Sequence, residues 1–528
     1  MQRKREKILV LVPFRVYPPI AGGQMRVYYL YKALSRWFDI TLLTFSHPGM
    51  SKSTVELSEG FKEIRVPKSI EHLKQEIKLS EQIGLNIGDI ALCELFQLSN
   101  EYIEEAIQEI QDSNIIVASH PFVYPIIKNI VNDSKIIWYD AHNVEYLLKS
   151  SMLPKTSNSE KLLKNLFEVE KECCNSSEII FTCSNEDLMN FTNLYKVGRE
   201  KFILAPNGVD INGIEFIPYC SRKGELRRPS AVFIGSAHPP NLNAVEYIVS
   251  LAKELPEMDF YIVGGCGNII SEKNITITTN VKVTGMVSNI EKRGILGKVD
   301  IALNPIPYGS GTNLKMLEYF ACGIPVISND VGVRGLNIND QKYCIVSKWD
   351  EFLINIKELL KNDRKKQMIS QNAREYVESH YSWEVISKNI VDKLRGKNIA
   401  IPEKRKVKKN KSIYFSPSLE EYLKEISVEK NIFLWGAGQG GRTVLEIFRK
   451  NNIKVSGFLD MDSNKIGTKL EGISIFSPLV LNDPHLAPFI VISSTFSHEI
   501  KLTLLEMGFK EKKDFVIQDL GVPFLSFD

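Results

Sequence analysis

Short, continuous runs of apolar and β-branched residues alternate with helix-like segments over most of this 528-residue chain. Such runs are typical of parallel strands covered on both faces, because a half-exposed strand would alternate apolar with polar residues. The first series contains six runs, which are Lys7–Phe14, Ile40–Phe45, Asn114–His120, Lys135–His142, Glu178–Ser184 and Lys201–Gly208. Helical patterns such as MRVYYLYKALSRW separate them, so the series predicts one doubly wound α/β domain.

A second series of the same kind starts at Ala231–Ser236 and ends near Val346. The segment 350–394 is then almost entirely helical in pattern, and the segment 397–412 is dense in lysine and arginine. One core cannot serve a chain of this length. We therefore predict an α/β protein with two Rossmann-like domains that face a cleft, a basic linker and a third, small Rossmann-like domain. Their predicted bounds are 1–213, 214–396, 397–412 and 413–528.

The composition excludes several classes of protein. The 66 basic and 63 acidic residues nearly cancel, so nothing in the charge balance demands a nucleic-acid partner. Eight cysteines without ligand-like spacing predict reduced core thiols and no metal site. No signal peptide or membrane span is evident, so we expect a cytoplasmic protein. The basic linker is either a solvated connection or a weak anchor to anionic lipid headgroups at the inner face of the membrane.

The stretch GSGTNLKMLEYFACGIPVIS, Gly309–Ser328, combines a glycine-rich loop, a helix and a buried strand. Thr312 or Asn313 can cap the helix, and the free amides of its first turn favour an anion above the loop. Lys315 either adds a cation there or faces solvent. Glu318 lies one turn further on, where its carboxylate could accept from a pair of sugar hydroxyls. The stretch predicts an anion-binding site with a carboxylate behind it.

Two loops of the first domain are predicted to face the same site, because ligands bind at the carboxyl ends of parallel strands. Gly22-Gly23 precedes a helix and suits the close approach of a phosphate or sugar, although a plain connecting turn is the alternative. The loop DAHNVEY, Asp140–Tyr146, follows a strand and places His142 among several polar residues. Packing does not explain such a group, whereas a lone histidine would more often belong to the core.

The third domain has its own glycine-rich loop. Gly436, Gly438 and Gly441 have the spacing G-x-G-x-x-G between a strand and a helix. Asp460 follows nineteen residues after Gly441, about where a dinucleotide fold places its ribose-binding carboxylate. This pattern predicts an accessory site for a nucleotide or nucleotide sugar, with a purely structural glycine turn as the alternative.

Taken in order, these residues resemble the retaining glycosyltransferases of the GT-B fold, in the group that includes glycosyltransferase family 4 (group 1). The resemblance covers residues 7–395, and the helix pattern 371–394 is similar to the family's closing helix. The third domain resembles the small Rossmann-like domains of nucleotide-sugar-modifying enzymes. The segments that match the glycosyltransferases are Gly22-Gly23, Asp140–Asn143, Cys183-Ser184, Pro206–Asp210, Phe233–Ser236 and Gly309–Ser328.

The resemblance implies a metal-independent enzyme that needs no cofactor and moves a sugar from a nucleotide diphosphate sugar. The acceptor would be a glycan or lipid-linked molecule in cell-surface polysaccharide or glycoconjugate biosynthesis. Glu318 would bind the ribose, Lys315 would oppose the charge of the leaving diphosphate, and His142 would lie near the transferring sugar. The other implied donor contacts are Gly22, Gly23, Gly235, Ser236, Ser310, Gly311, Thr312 and Asn313.

The chain also departs from the family's pattern. Ser310 stands where relatives often have the first glutamate of the E-x7-E segment. The arginine and lysine that many relatives place after the first strand of the second domain are missing, and His238 and Asn241 are the candidates to replace them beside Lys315. Two other functions therefore stay open: a nucleotide-sugar epimerase, which would need acid and base groups that are not evident, and a non-catalytic scaffold that senses nucleotide sugars.

Overall fold

A computed structural model places two compact units in this chain, which divide near residue 406. The first unit contains two sheets and the second contains one, and helices pack against each sheet. All three sheets have the order of a doubly wound α/β fold, so the predicted fold class is confirmed. The described residues are 5–19, 21–48, 50–131, 135–222, 228–287, 289–309, 312–338, 340–397, 401–405, 430–450, 452–462, 464–483, 486–493, 500, 503–504, 507–509 and 514–517.

The first sheet has eight strands. They are β1 Lys7–Val12, β2 Asp39–Ser46, β3 Ser53–Ser58, β4 Phe61–Pro67, β5 Ile115–Ser119, β6 Ile136–Asp140, β7 Ile179–Thr182 and β8 Phe202–Leu204. Their order is β3-β4-β2-β1-β5-β6-β7-β8, and every pair except β3–β4 is parallel. The helices are α1 Gly22–Leu34, α2 Ile70–Ile83, α3 Gly88–Leu95, α4 Asn100–Asp112, α5 Tyr124–Ile130, α6 Glu145–Met152, α7 Ser157–Ser176 and α8 Asn185–Tyr195.

The centre of this sheet decides where a ligand can bind. Strand β1 is apolar after Lys7, and these five apolar residues are buried because helices cover both faces. The chain runs from β1 to β2 on one side and later returns to β5 on the other. The loops that follow β1 and β5 therefore part at the carboxyl edge of the sheet and leave a crevice there.

The second sheet has six strands, all parallel. They are β9 Ser230–Ile234, β10 Asp259–Val263, β11 Val281–Gly285, β12 Ile301–Asn304, β13 Val326–Ser328 and β14 Ile345–Val346, in the order β11-β10-β9-β12-β13-β14. Its crevice lies between β9 and β12 by the same argument. The helices are α9 Pro239–Glu254, α10 Asn268–Glu272, α11 Asn289–Leu296, α12 Leu314–Cys322, α13 Phe352–Lys361, α14 Asp363–His380 and α15 Trp383–Gly396.

Helix α15 crosses back to the first domain and packs against α1. The ring of Trp383 stacks on Tyr29 with centroids 6.2 Å apart, and Arg36 Nη1 lies 2.8 Å from Glu384 Oε1. After α15 the chain contacts the first domain again, because Arg405 donates to the carbonyl oxygens of Ser35 and Glu59. Arg405, which belongs to the segment interpreted as a basic linker, therefore binds to the first domain. Residues 406–412 of that segment lie outside the described residues.

The third sheet contains β15 Asn431–Trp435, β16 Gly457–Leu459, β17 Lys469–Leu470, β18 Ile473–Phe476, β19 Pro488–Ile492 and β20 Phe515–Ile517. The order is β17-β18-β16-β15-β19-β20, with helix α16 Gln439–Lys450 after β15. A Cβ atom on Gly441 would lie 2.1 Å from the carbonyl oxygen of Gly436. Only glycine at position 441 lets the helix approach the strand this closely.

Seven of the eight cysteines are buried, as predicted for core thiols, and Cys220 is exposed. The amphipathic segment 69–113 contributes Ile83, Ile87, Ile90 and Tyr102 to the core of the first domain, so this segment covers the sheet. Within the part of the chain that the structure describes, no helix is both long and apolar enough to cross a membrane.

Candidate functional site

A buried ion pair between Arg26 and Asp140 lies beside the predicted site residue His142. Asp140, at the end of β6, is fully buried and accepts from Arg26 Nε at 3.1 Å and Nη2 at 2.7 Å. The hydroxyl of Tyr31 donates to the same carboxylate at 3.3 Å. Burial opposes the charge, but Arg26 and His142 together hold the pKa of Asp140 below its usual value. Because Arg26 also donates to the carbonyl oxygen of Ala205 at 2.7 Å, the pair fastens α1 to two strand ends.

His142 lies where the sequence predicts a ligand-facing residue. Its Nε2 atom is 3.6 Å from Asp140 Oδ2 and 3.2 Å from Ser119 Oγ. A Cβ atom on Gly23 would lie 3.8 Å from His142 Nδ1, so the structure brings the glycine pair and the histidine together. Burial lowers the pKa of His142, and Asp140 only partly opposes this, so the imidazole is neutral near pH 7.

His120 is a residue that the sequence analysis did not single out. It follows β5 with φ 75° and ψ 150°, a backbone conformation that residues other than glycine rarely adopt. Its ring lies against His142 with centroids 3.9 Å apart. Its Nδ1 atom is buried and has no hydrogen-bond partner among the described residues. The only signal for His120 in the sequence was its position at the end of a predicted buried strand. In the sheet, that strand is β5, which lies beside the crevice next to β1.

Glu145 and Lys149 lie on the first turns of α6. Glu145 is buried and accepts from Asn143 Nδ2 at 3.1 Å; burial raises its pKa to about 7. Lys149 pairs with Asp89 and lies over the ring of Phe122 at 5.7 Å. Burial lowers the pKa of His238, which belongs to the second domain, and the charge of Lys149 lowers it further. Lys149 is therefore a cation of the cleft that sequence reasoning missed.

The opposite wall is the start of α12. The side chain of Leu314 would lie 3.0 Å from a Cβ atom on Gly22, so the helix begins beside the glycine pair of the first domain. The hydroxyl of Thr312 is buried and has no partner in the described part of the chain. Asn313 occupies the N-cap position, but its amide donates to the carbonyl of Gly332 and does not cap the helix. The predicted contacts Ser310 and Gly311 lie outside the described residues.

Lys315 turns toward the loop after β9 and away from solvent. Its Nζ atom donates to Asn241 Oδ1 at 2.6 Å and lies 4.2 Å from the centre of the Phe233 ring. Burial lowers the pKa of Lys315 to about 7. A Cβ atom on Gly235 would lie 2.9 Å from the Asn241 side chain, so this loop fits tightly around the pair. Lys315 and Asn241 thus meet at the loop Gly235–Ser236, as the departures from the family's pattern suggested.

Glu318 has a partner that the sequence did not indicate. Lys292, on α11, lies 2.6 Å from Glu318 Oε1, and both side chains are 22% exposed. The next residue, Tyr319, accepts from the backbone amide of Ile234 at 2.8 Å and ties α12 to the end of β9. The carboxylate is therefore partly accessible and is carried on a helix fixed to the strand that precedes the Gly235 loop.

In the third domain, the glycine loop and Asp460 come together as their spacing predicts. Asp460 accepts from the backbone amide of Ala437 at 2.9 Å, and Lys465 Nζ lies 3.2 Å from it. A Cβ atom on Gly438 would meet nothing within 4 Å, so the loop is open on that side. The carboxylate expected to bind a ribose is thus engaged by the chain's own loop. Its role as a nucleotide ligand stays a prediction.

Potential metal ligands are not clustered in the described residues, where no group of three or more His, Cys, Asp or Glu side chains could hold an ion.

Two family models match parts of the chain. Residues 228–362 match "Glycosyl transferases group 1", and residues 428–515 match "C2185-like, N-terminal". The first match contains Lys292, Lys315 and Glu318. A curated relative, described as an "Uncharacterized 44.6 kDa protein in cps region" of Klebsiella pneumoniae, is 25% identical over 282 residues, which are 50% of this chain and 70% of the relative.

Solved structures share the fold of the first unit. Sucrose-phosphate synthase from Thermosynechococcus elongatus has a TM-score of 0.56 at 16% identity and covers 75% of this chain and 99% of its own. HepE from Anabaena, in complex with UDP-glucose, has a TM-score of 0.54 at 13% identity, with 74% and 99% covered. TarM has a TM-score of 0.51 at 15% identity, with 74% and 98% covered. The chain thus carries a glycosyltransferase group 1 segment within a GT-B fold, as the sequence predicted.

Proposed function

We propose that this protein is a retaining glycosyltransferase, which moves a sugar from a nucleotide diphosphate sugar to a glycan or lipid-linked acceptor in cell-surface polysaccharide biosynthesis. The main observation behind the proposal is that predicted site residues of both domains lie on opposite sides of one cleft. Gly22, Gly23 and His142 form the wall from the first domain, and the start of α12 with Lys315 forms the other. A relative from a cps region supports the biosynthetic setting.

The donor would lie along α12. The amides of Leu314 and Lys315 receive no side-chain cap from Asn313, so we expect them to donate to the diphosphate together with the Thr312 hydroxyl, while the Met316 amide donates to the Asn313 carbonyl. Lys315 supplies a cationic group beside them, and the neutral ring of His238 can donate a hydrogen bond. Glu318 would leave or share Lys292 and accept from the ribose hydroxyls. HepE has been solved with UDP-glucose, which makes UDP-sugars the first donors to test.

The chemistry needs charge stabilisation more than it needs a protein base. The anomeric C–O bond to the diphosphate breaks, the acceptor oxygen forms a new bond on the same face, and its proton passes to the departing phosphate oxygen. Donors fixed in place oppose the growing negative charge of the leaving group. His142 and His120 are both neutral, so each ring offers one nitrogen as a donor and one as an acceptor, and we expect them to hydrogen-bond a sugar hydroxyl.

The Glu318→Ala variant tests this proposal. A charge-assisted hydrogen bond contributes about 1.5–3 kcal/mol, so we expect donor affinity to fall by about 10- to 100-fold. Isothermal titration with UDP and a panel of UDP-sugars measures the change, and donor hydrolysis should be lost with it. Glu358→Ala is the matched control, because Glu358 is an exposed carboxylate on α13 of the same domain. Binding of no donor by the wild-type protein would refute the proposal, and donor conversion without an acceptor would favour an epimerase.

Donor binding should also depend on pH through Lys315. Its pKa is about 7 in the free protein, and a bound diphosphate would raise it again. Binding then takes up a proton above pH 7, so the affinity should fall by up to about tenfold for each pH unit from 7 to 9. Arginine stays charged over this range, so the Lys315→Arg variant should lose the dependence. A flat pH profile for the wild-type protein would contradict the assignment.

A further inference from the structure

One carboxylate outside the cleft accepts hydrogen bonds from four donors. Glu170, on α7, is fully buried and accepts four hydrogen bonds. Its Oε1 atom accepts from the Tyr139 hydroxyl at 2.9 Å and the Glu145 amide at 2.8 Å. Its Oε2 atom accepts from the Tyr146 amide at 2.9 Å and the Tyr195 hydroxyl at 2.7 Å. Backbone amides can only donate, so this arrangement fits an ionised carboxylate with both oxygens saturated.

Three of these four donors flank the loop that carries His142, and the fourth, Tyr195, lies on α8. Tyr139 directly precedes Asp140, and the two amides belong to the first turn of α6, three and four residues after His142. The residue before α6 is Val144, whose side chain cannot cap a helix. Glu170 replaces that cap from another helix and places a negative charge at the positive end of α6. One side chain therefore holds both ends of the segment 140–144.

We propose that Glu170 is a positioning residue of the transferase site, which fixes the loop Asp140–Val144 and thereby the imidazole of His142 against the cleft. This inference rests on the proposed function, because it assumes that His142 faces the donor sugar. Glu170 itself has no exposed surface and touches no substrate. A displacement of about 1 Å at a residue that orients a reacting group lowers a rate by about 100-fold.

The charge of Glu170 has a second effect, on the neighbouring Glu145. Four groups face Glu145: Lys149 from its own helix, Glu170 from α7, Asp89 from α3 and Asn143 from the loop. Burial and Glu170 raise the pKa of Glu145, and Lys149 and Asn143 oppose this. A neutral residue at position 170 removes a like charge, so Glu145 should lose its proton at a lower pH.

The Glu170→Gln variant keeps the size of the side chain and removes its charge. We expect kcat to fall at least tenfold while the donor Kd changes much less, because the contacts proposed for the diphosphate and the ribose lie on α12 of the second domain. The pKa of Glu145 should also move to a lower value, which a pH titration of its carboxyl NMR signal measures. Glu172→Gln is the matched control: it makes the same change on the same helix, at a side chain that is 47% exposed and paired with Lys128.

A second readout needs no substrate. In protein labelled with ¹⁵N-histidine, the ring signals of His142 should shift or broaden in Glu170→Gln and stay unchanged in Glu172→Gln. These signals decide the positioning role even if the wild-type protein proves to have no transferase activity, in which case only the proposed function fails. Tyr195→Phe removes one of the four donors and should lower kcat by a few-fold with a smaller shift of the same signals.

Three outcomes would overturn the inference. The first is a folded Glu170→Gln variant with wild-type kcat and unchanged His142 signals. The second is a parallel loss of kcat and donor affinity, which a general structural role would cause. If Glu170→Gln does not fold, Tyr195→Phe becomes the deciding variant, and unchanged kcat and His142 signals in that variant are the third.

Discussion

Replacement of Lys315 by methionine is expected to lower kcat by about 100- to 1000-fold, with the donor sugar and acceptor held at saturation. The ammonium group lies at the first turn of α12, beside the loop Gly235–Ser236, where the charge of a departing diphosphate would develop. Removing one fixed donor to a developing negative charge costs about 2.7–4 kcal/mol of transition-state stabilisation. Methionine has nearly the length of lysine, so packing over the Phe233 ring is kept.

Steady-state kinetics with a radiolabelled UDP-sugar measure this effect. Lys315→Arg should retain a substantial part of the rate, because it keeps a charge near the same place. Lys253→Met is the control for the loss of a lysine, since Lys253 is exposed in the last turn of α9. If Lys315→Met retained more than a tenth of the wild-type kcat, the diphosphate would have to be stabilised by another cation, of which Lys149 is the first candidate.

Asp140→Asn is expected to destabilise the first domain by about 3–5 kcal/mol, the usual cost of leaving one partner of a buried ion pair unpaired. Arg26 is 1% exposed and Asp140 is fully buried, so water cannot replace the lost carboxylate. Asparagine also presents an NH₂ group where the carboxylate accepts from Arg26 and Tyr31 and lies 3.6 Å from His142 Nε2. The effect should therefore exceed that of an ordinary polar substitution.

Urea unfolding followed by tryptophan fluorescence measures the change as a shift of the unfolding midpoint, because Trp138 lies in β6 beside the pair. Asp112→Asn, at the exposed end of α4, is the control and should shift the midpoint little. The double variant Arg26→Met/Asp140→Asn should recover part of the loss, because no unpaired charge then remains buried. Equal stability of Asp140→Asn and the wild-type protein would show that the pair contributes no net stability.

The structural features that the sequence predicts and the structure confirms share one property: the evidence for them is local. The alternation of apolar runs with helical patterns predicts strands and helices because burial depends on the immediate pattern of side chains. The spacing of Gly436, Gly438 and Gly441 predicts a tight strand-to-helix turn, which the close approach of Gly441 to Gly436 confirms. In the same way, the stretch around Lys315 predicts a loop followed by a helix, and α12 begins one residue before Lys315.

Residues that the sequence did not identify depend on distant partners. His120 becomes notable only when β6 lies next to β5 and brings His142 against its ring. Lys292 pairs with Glu318 from twenty-six positions away, on a different helix. Glu170 looks like one more polar residue of the amphipathic helix α7 until its four donors are known. No periodicity along the chain could have indicated any of these contacts.

By itself, then, the sequence determined the α/β class, the three sheets and the two glycine-rich loops that open the cleft, because each follows from short-range burial and backbone freedom. The tertiary structure alone decided that Lys315 turns inward to Asn241, that the ring of His142 lies against His120 and that Glu170 accepts from the amide of Glu145 at the start of α6. Contacts of this second kind depend on sheet order and helix packing. These place side chains from distant parts of the chain within hydrogen-bond distance of one another.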